Sequence, residues 1–169
     1  PEVIRNTMLY CLDCYSKEGI PGKRGTSRAA MMFLSNWLNE FGNLGMMTVS
    51  SEYLSGSEVY IGPGSRIDQA LSHGGAAVVR LFLDEPHYVL LTGVKDGSIL
   101  LFDPYYWDEP YEEKDILIDL EHPRAYNREV PFRYFNREED VLYALGKENA
   151  REAVLVYNEK TRVPVEEVI

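Results

Sequence analysis

The sequence predicts an α+β domain in which helices come first and a mostly antiparallel sheet follows. Three observations lead there. Apolar residues recur at helical spacing up to about residue 75. From "AAVVRLFL" (76–83) onward the pattern changes to short β-rich runs. Between two of those runs stands Asp96-Gly97, a strong signal for a tight hairpin.

The elements follow in chain order. "PEVIRNTMLYCLDCYSKEG" carries Val3, Ile4, Met8, Leu12 and Tyr15 near helical spacing, with Pro1 tolerated in a first turn and Gly19 as a stop. "IPGKRG" reads as a loop. "TSRAAMMFLSNWLNEFGN" has the wide apolar face of a helix, built from Ala29, Ala30, Met31, Leu34, Trp37, Leu38 and Phe41. Thr26 or Ser27 can cap it and Gly42 can end it, and its hydrophobicity predicts a course through the core. "SRIDQALSHGG" predicts a shorter helix capped by Ser65 and closed by the glycine pair. "AAVVRLFL", "HYVLLTGV" and "SILLFDP" are strands separated by "DEP" and "KDG". "DILIDL" and "AVLVYN" add two candidate strands, and "REEDVLYALGKEN" a late helix.

A chain of 169 residues fits a single domain with one substantial core, and no linker divides it. Seventeen basic against twenty-seven acidic side chains give a net charge of −10, which disfavours nucleic acid and anionic membranes as partners. No apolar run approaches the roughly 18 residues that span a bilayer. The opening residues lack the basic start and apolar centre of a signal peptide, so a cytoplasmic domain or a mature secreted one is expected. Cys11 and Cys14 form a lone C-x-x-C that reads as packing or partly exposed thiols.

The chemistry centres on "HYVLLTGVKDGSILLFDPYY" (87–106). Acyl transfer needs a nucleophile, a base, and a third group that orients the base. His87 suits the second role and Asp103 the third, and the hairpin alone is expected to make them near cross-strand neighbours. The nucleophile belongs at a helix N-terminus, where free N–H groups stabilise a thiolate or an oxyanion. "GTSRAA" is such a start, which points to Ser27. Each of the three also has a plain structural reading: Ser27 as a cap, His87 opening a strand after Pro86, and Asp103-Pro104 stopping one.

"GTSRAA" resembles the G-S-C-x-A element of papain-like cysteine peptidases, with Ser27 where their cysteine stands. "HYVLLTGVKDGSILLFDPYY" is similar to the His and Asp-Pro block of the bacteriocin-leader (double-glycine) peptidase-like branch, and "IDQALSHGGAAVVRL" resembles the segment that precedes it. The resemblance covers roughly residues 20–106. It implies a papain-like fold and thiol-dependent hydrolysis of a peptide or amide bond, with Ser27 in the nucleophile position, His87 as base and Asp103 as orienting group. No metal or organic cofactor is implied, and the expected partner is a peptide or protein substrate.

Two departures qualify the resemblance. Serine replaces the cysteine, so the position is a natural loss, a serine hydrolase or an engineered Cys→Ser exchange; a second register places Arg24 there instead. The glutamine that the family carries about six residues earlier is replaced by Pro21, leaving the Ser27 N–H as one oxyanion donor. Cys11 or Cys14 is an alternative nucleophile without helix-start electrostatics. Rival functions are a catalytically silent peptide-binding module and an acyltransferase using the same triad. "DPYYWDEPY" (103–111) could wall a peptide cleft or pack as a loop over the sheet. His73 reads as a helix-end residue and His122 as a loop residue.

Overall fold

The computed structural model describes residues 2–122 and 124–161, so Pro1 lies outside the described residues, as do the side chains of Glu2 and Val3. Its architecture is α+β. Helix α1 (Glu2–Cys11) and helix α2 (Arg28–Asn43) are followed by strand β1 (Val49–Ser55), helix α3 (Arg66–Ser72) and strand β2 (Ala76–Phe82). The chain then runs through β3 (Pro86–Lys95), β4 (Ser98–Phe102), β5 (Leu117–Ile118), β6 (Arg128–Pro131) and β7 (Glu152–Asn158). The seven strands form one sheet in the order β1-β7-β2-β3-β4-β6-β5, and every pairing is antiparallel.

The sheet has two unlike faces, and the side-chain alternation of paired strands tells them apart. On one face Val79 and Leu81 of β2, Val89 and Leu91 of β3, Ile99 and Leu101 of β4 and Ala153 and Leu155 of β7 join Ile67, Ala70 and Leu71 of α3. Val130, Phe135 and Tyr143 complete this main core. Each fully buried Leu or Ile there contributes on the order of 1.5–3 kcal/mol. Helix α2 covers the other face, over β1 and β7, where the Ser35 and Ser51 hydroxyls bond at 3.0 Å. Beyond β7 that face opens, and Leu90 of β3 is exposed there.

The most hydrophobic helix therefore does not run through the main core. Ala30, Met31, Ser35 and Leu38 are buried, whereas Met32 and Phe33 face outward. Gly42 serves the close approach of α2 to β1 rather than the helix stop: a Cβ there would meet the Val49 carbonyl oxygen at 2.0 Å.

Helix α1 stops at Cys11, short of the expected Gly19, because the next residues fold back on the start of α2. The Cys14 N–H donates to Gly25 O at 3.2 Å, and Tyr15 bridges Pro21. The late helix expected over 137–149 does not form; only a short 3-10 turn, Glu148–Ala150, appears. Tyr143 takes φ 57°, and its N–H donates to Phe82 O at 2.6 Å while the Phe82 N–H donates to Ala144 O at 2.9 Å. That segment pairs with the end of β2, past Val79 where the pairing with β7 stops, and tertiary backbone pairing overrides the helical pattern.

Candidate functional site

The hairpin of β3 and β4 turns at Asp96 (φ 47°) and Gly97 (φ 80°), and Lys95 pairs with Ser98. Two left-handed residues in a row give the turn whose twist suits antiparallel strands. Carried on without interruption, this register would set position 103 opposite Leu90, on the face away from His87. A bulge prevents that. Between Leu91 and Gly93 the register slips by one residue, so Leu91 pairs with Leu101 and Leu90 with Phe102. Asp103, one step further, then shares the face of Val89 and His87. The Thr92 hydroxyl donates to Leu100 O at 3.2 Å across the slip. The hairpin alone does not bring the pair together; the extra residue does.

His87 Nε2 lies 3.1 Å from Asp103 Oδ1. The imidazole is partly exposed, whereas the Asp103 side chain is 1% exposed. Tyr105 N–H donates to Oδ1 at 2.9 Å and the Tyr143 hydroxyl to Oδ2 at 3.1 Å. Asn127 fixes the backbone of Asp103 from both sides, accepting from its N–H and donating to its carbonyl, each at 2.8 Å. Burial alone would raise the Asp103 carboxyl, but hydrogen bonds from His87, Tyr105 and Tyr143 outweigh it and hold the group below the usual carboxylate range. Burial, the Asp103 charge and the Tyr111 bond push the Tyr143 phenol far up, so it remains a donor.

Behind Tyr143 the network continues. The Tyr143 and Tyr111 hydroxyls are 3.1 Å apart, and Arg128 Nε donates to Tyr111 at 3.2 Å. Arg128 is 1% exposed, and its remaining N–H groups reach Asn127 O at 2.8 Å, Tyr105 O at 3.3 Å and Trp107 O at 3.0 Å. The aromatic loop after Asp103 is thereby tied to the same buried cation. With the carboxylate as acceptor, His87 Nε2 is the donor of this bond. Nδ1 is buried and has no hydrogen-bond partner.

Ser27 lies elsewhere. It is the N-cap of α2, its hydroxyl accepting from Ala30 N–H at 3.1 Å and donating to Asp13. Its own N–H donates to Asp13 Oδ1 at 2.8 Å, so the expected oxyanion donor is occupied as well. These bonds hold the Asp13 carboxyl below its ordinary value despite some desolvation. The next residue, Arg28, approaches Glu152 Oε2 at 3.7 Å, and Glu152 accepts from Tyr53 and Tyr88 on the face that α2 covers. His87 pairs with Leu81 on the face that α3 covers. The expectation that the Ser27 hydroxyl meets the His87 ring is therefore corrected: cap and imidazole occupy opposite faces of the sheet.

The alternative nucleophiles fare no better. Arg24 sits in the exposed loop before α2. Cys11 is buried, and burial followed by the Asp13 charge raises its thiol; desolvation and Asp13 raise Cys14 too, against a thiolate at neutral pH. His73 ends α3, with its Nδ1 2.6 Å from Gln69 O, and His122 pairs with Asp119 at 2.9 Å in an exposed loop.

The chain matches no known family model, curated protein or solved structure. Among the described residues no group of three or more His, Cys, Asp or Glu is arranged to hold a metal ion, and no helix is long and apolar enough to cross a membrane.

Beside the dyad the surface is concave. One hollow of about 540 Å³ is lined by Leu83, Asp84, Glu85, His87, Pro104 and Tyr105. A second, of about 320 Å³, shares Leu83, Asp84 and Tyr105 and extends past Trp107 and Tyr111 to Glu112, Glu113 and Leu142. Together they form a groove with His87 at one end and the aromatic loop along its side. The residues that sequence reasoning missed are Tyr143, Asn127 and Arg128, whereas Tyr111 closes the aromatic run 103–111 that was read as a cleft wall or a packed loop. The only local signal was an arginine inside a β-like "REVP" run.

Proposed function

We propose that this chain is a peptide-recognition domain on a papain-like scaffold, in which the His87–Asp103 pair persists without a nucleophile. The observation that carries the reading is the commitment of the Ser27 hydroxyl to Asp13 and to its own helix, across the sheet from His87. A base without a nucleophile forms no acyl-enzyme. What remains is a groove with a fixed aromatic wall, suited to an extended peptide.

The test is to incubate the protein with a random, end-blocked hexapeptide pool and weigh what is retained. Peptides recovered at unchanged mass are expected. Cleavage that vanishes in His87→Ala would overturn the reading, and so would a pool that is not retained at all.

A second reading, thiol hydrolysis or acyl transfer by a form carrying cysteine at position 27, draws on one observation. Asp103 holds His87 Nε2 and leaves the buried Nδ1 without a partner, which is the pairing a general base needs once that nitrogen is uncovered. It further requires the start of α2 to move around the sheet edge.

A further inference from the structure

We infer that the groove beside His87 selects a peptide segment carrying arginine or lysine, whose cationic side chain lies along Trp107 and Tyr105 and ends among Asp84, Glu112 and Glu113. The inference rests on the peptide-recognition reading and names its substrate class.

Three observations carry it. The two adjoining hollows are lined by four carboxylates, Asp84, Glu85, Glu112 and Glu113, and by no lysine or arginine. Among the described residues none of the four is in an ion pair, although carboxylates elsewhere, such as Glu52, Glu129 and Asp115, are paired. A wall of one sign focuses its field in the concavity and repels anionic or acidic ligands.

The second observation is aromatic. Tyr105 and Trp107 are 51% and 39% exposed, and Trp107 stacks on Tyr111 with ring centroids 6.5 Å apart. Aromatic faces next to carboxylates complement a side chain that joins an aliphatic stem to a cationic head.

The third is rigidity. Arg128 holds the Tyr105 and Trp107 carbonyls from inside, so the wall is set before a ligand arrives and little ordering is lost on binding.

The test uses the full chain and three end-blocked, dye-labelled heptapeptides of glycine and alanine, which differ only in having arginine, norleucine or glutamate at two central positions. Binding is read by fluorescence anisotropy. The arginine peptide is expected to bind at least about tenfold more tightly than the norleucine peptide, with the glutamate peptide weakest. The Glu112→Gln/Glu113→Gln double variant should abolish most of that preference. Glu18→Gln/Glu40→Gln, which removes the same charge far from the groove, should leave it intact. Equal affinity for arginine and norleucine peptides would overturn the cationic preference while peptide recognition stands. If none of the three binds, both fall. Equal losses in the two double variants would reduce the effect to net charge and overturn the site.

Discussion

Ser27 and Asp103 show how the same residue types divide between structure and chemistry. The Ser27 hydroxyl satisfies one of the free N–H groups at the start of α2, and Asp13 brackets it. Ser27→Ala should cost about 1 kcal/mol in chemical denaturation. Asp13→Ala should be non-additive with it in a double-mutant cycle, since the two side chains touch. Asp103 acts through charge. Its carboxyl titrates lower in the folded chain than in the unfolded one. It therefore contributes stability above about pH 4, which is lost as the pH falls through the folded value. Unfolding free energy should drop on acidification more steeply for the wild type than for Asp103→Asn. Arg128→Met should cost on the order of 3 kcal/mol, because it strands the Tyr105 and Trp107 carbonyls behind the site and takes one of two partners from the Tyr111 hydroxyl.

Among the elements, the bulge at Thr92 decides on which face Asp103 lies. Thr92→Ala removes one hydrogen bond and should cost about 1 kcal/mol. Deleting Thr92 instead restores an uninterrupted register, which turns the first half of β3 over relative to β4 and takes Val89 and Leu91 out of the core. Loss of the near-UV circular dichroism signal is the expected result. A deletion variant with a native spectrum would show that the slip is dispensable. The hairpin, the Ser27 cap, α3 with its Ser65 cap, and the three central strands were legible because each rests on local chemistry: turn residues, capping hydroxyls and alternation. The bulge was not, since "LLTGV" carries only a glycine as a hint and the slip is set by packing on both faces. Strand β1, "VSSEYLS", was hidden by its serines; Ser51 is buried through its bonds to Ser35, a partner sixteen residues away. "DILIDL" gives only the two-residue strand β5.

For the whole molecule, the two faces of the sheet separate what the sequence pattern suggested would converge. Linear spacing placed Ser27, His87 and Asp103 in a plausible order, but order does not say which side of a sheet a helix takes. Helix α2 settles over β1 and β7, strands that were unread or only glimpsed, so its face was not readable either. Helix α1 leaves Ile4, Met8 and Leu9 about two-thirds exposed. Its amides should exchange hydrogen far faster than those of β7, whose residues 152–155 are all buried.

The separation of cap and imidazole is tested most directly by Ser27→Cys, treated with iodoacetamide near neutral pH and followed residue by residue by mass spectrometry, with and without His87→Ala. With Asp13 beside the thiol and His87 across the sheet, labelling at position 27 should be no faster than that of an exposed free cysteine and unchanged by His87→Ala. Rapid labelling that collapses when His87 is removed would contradict it.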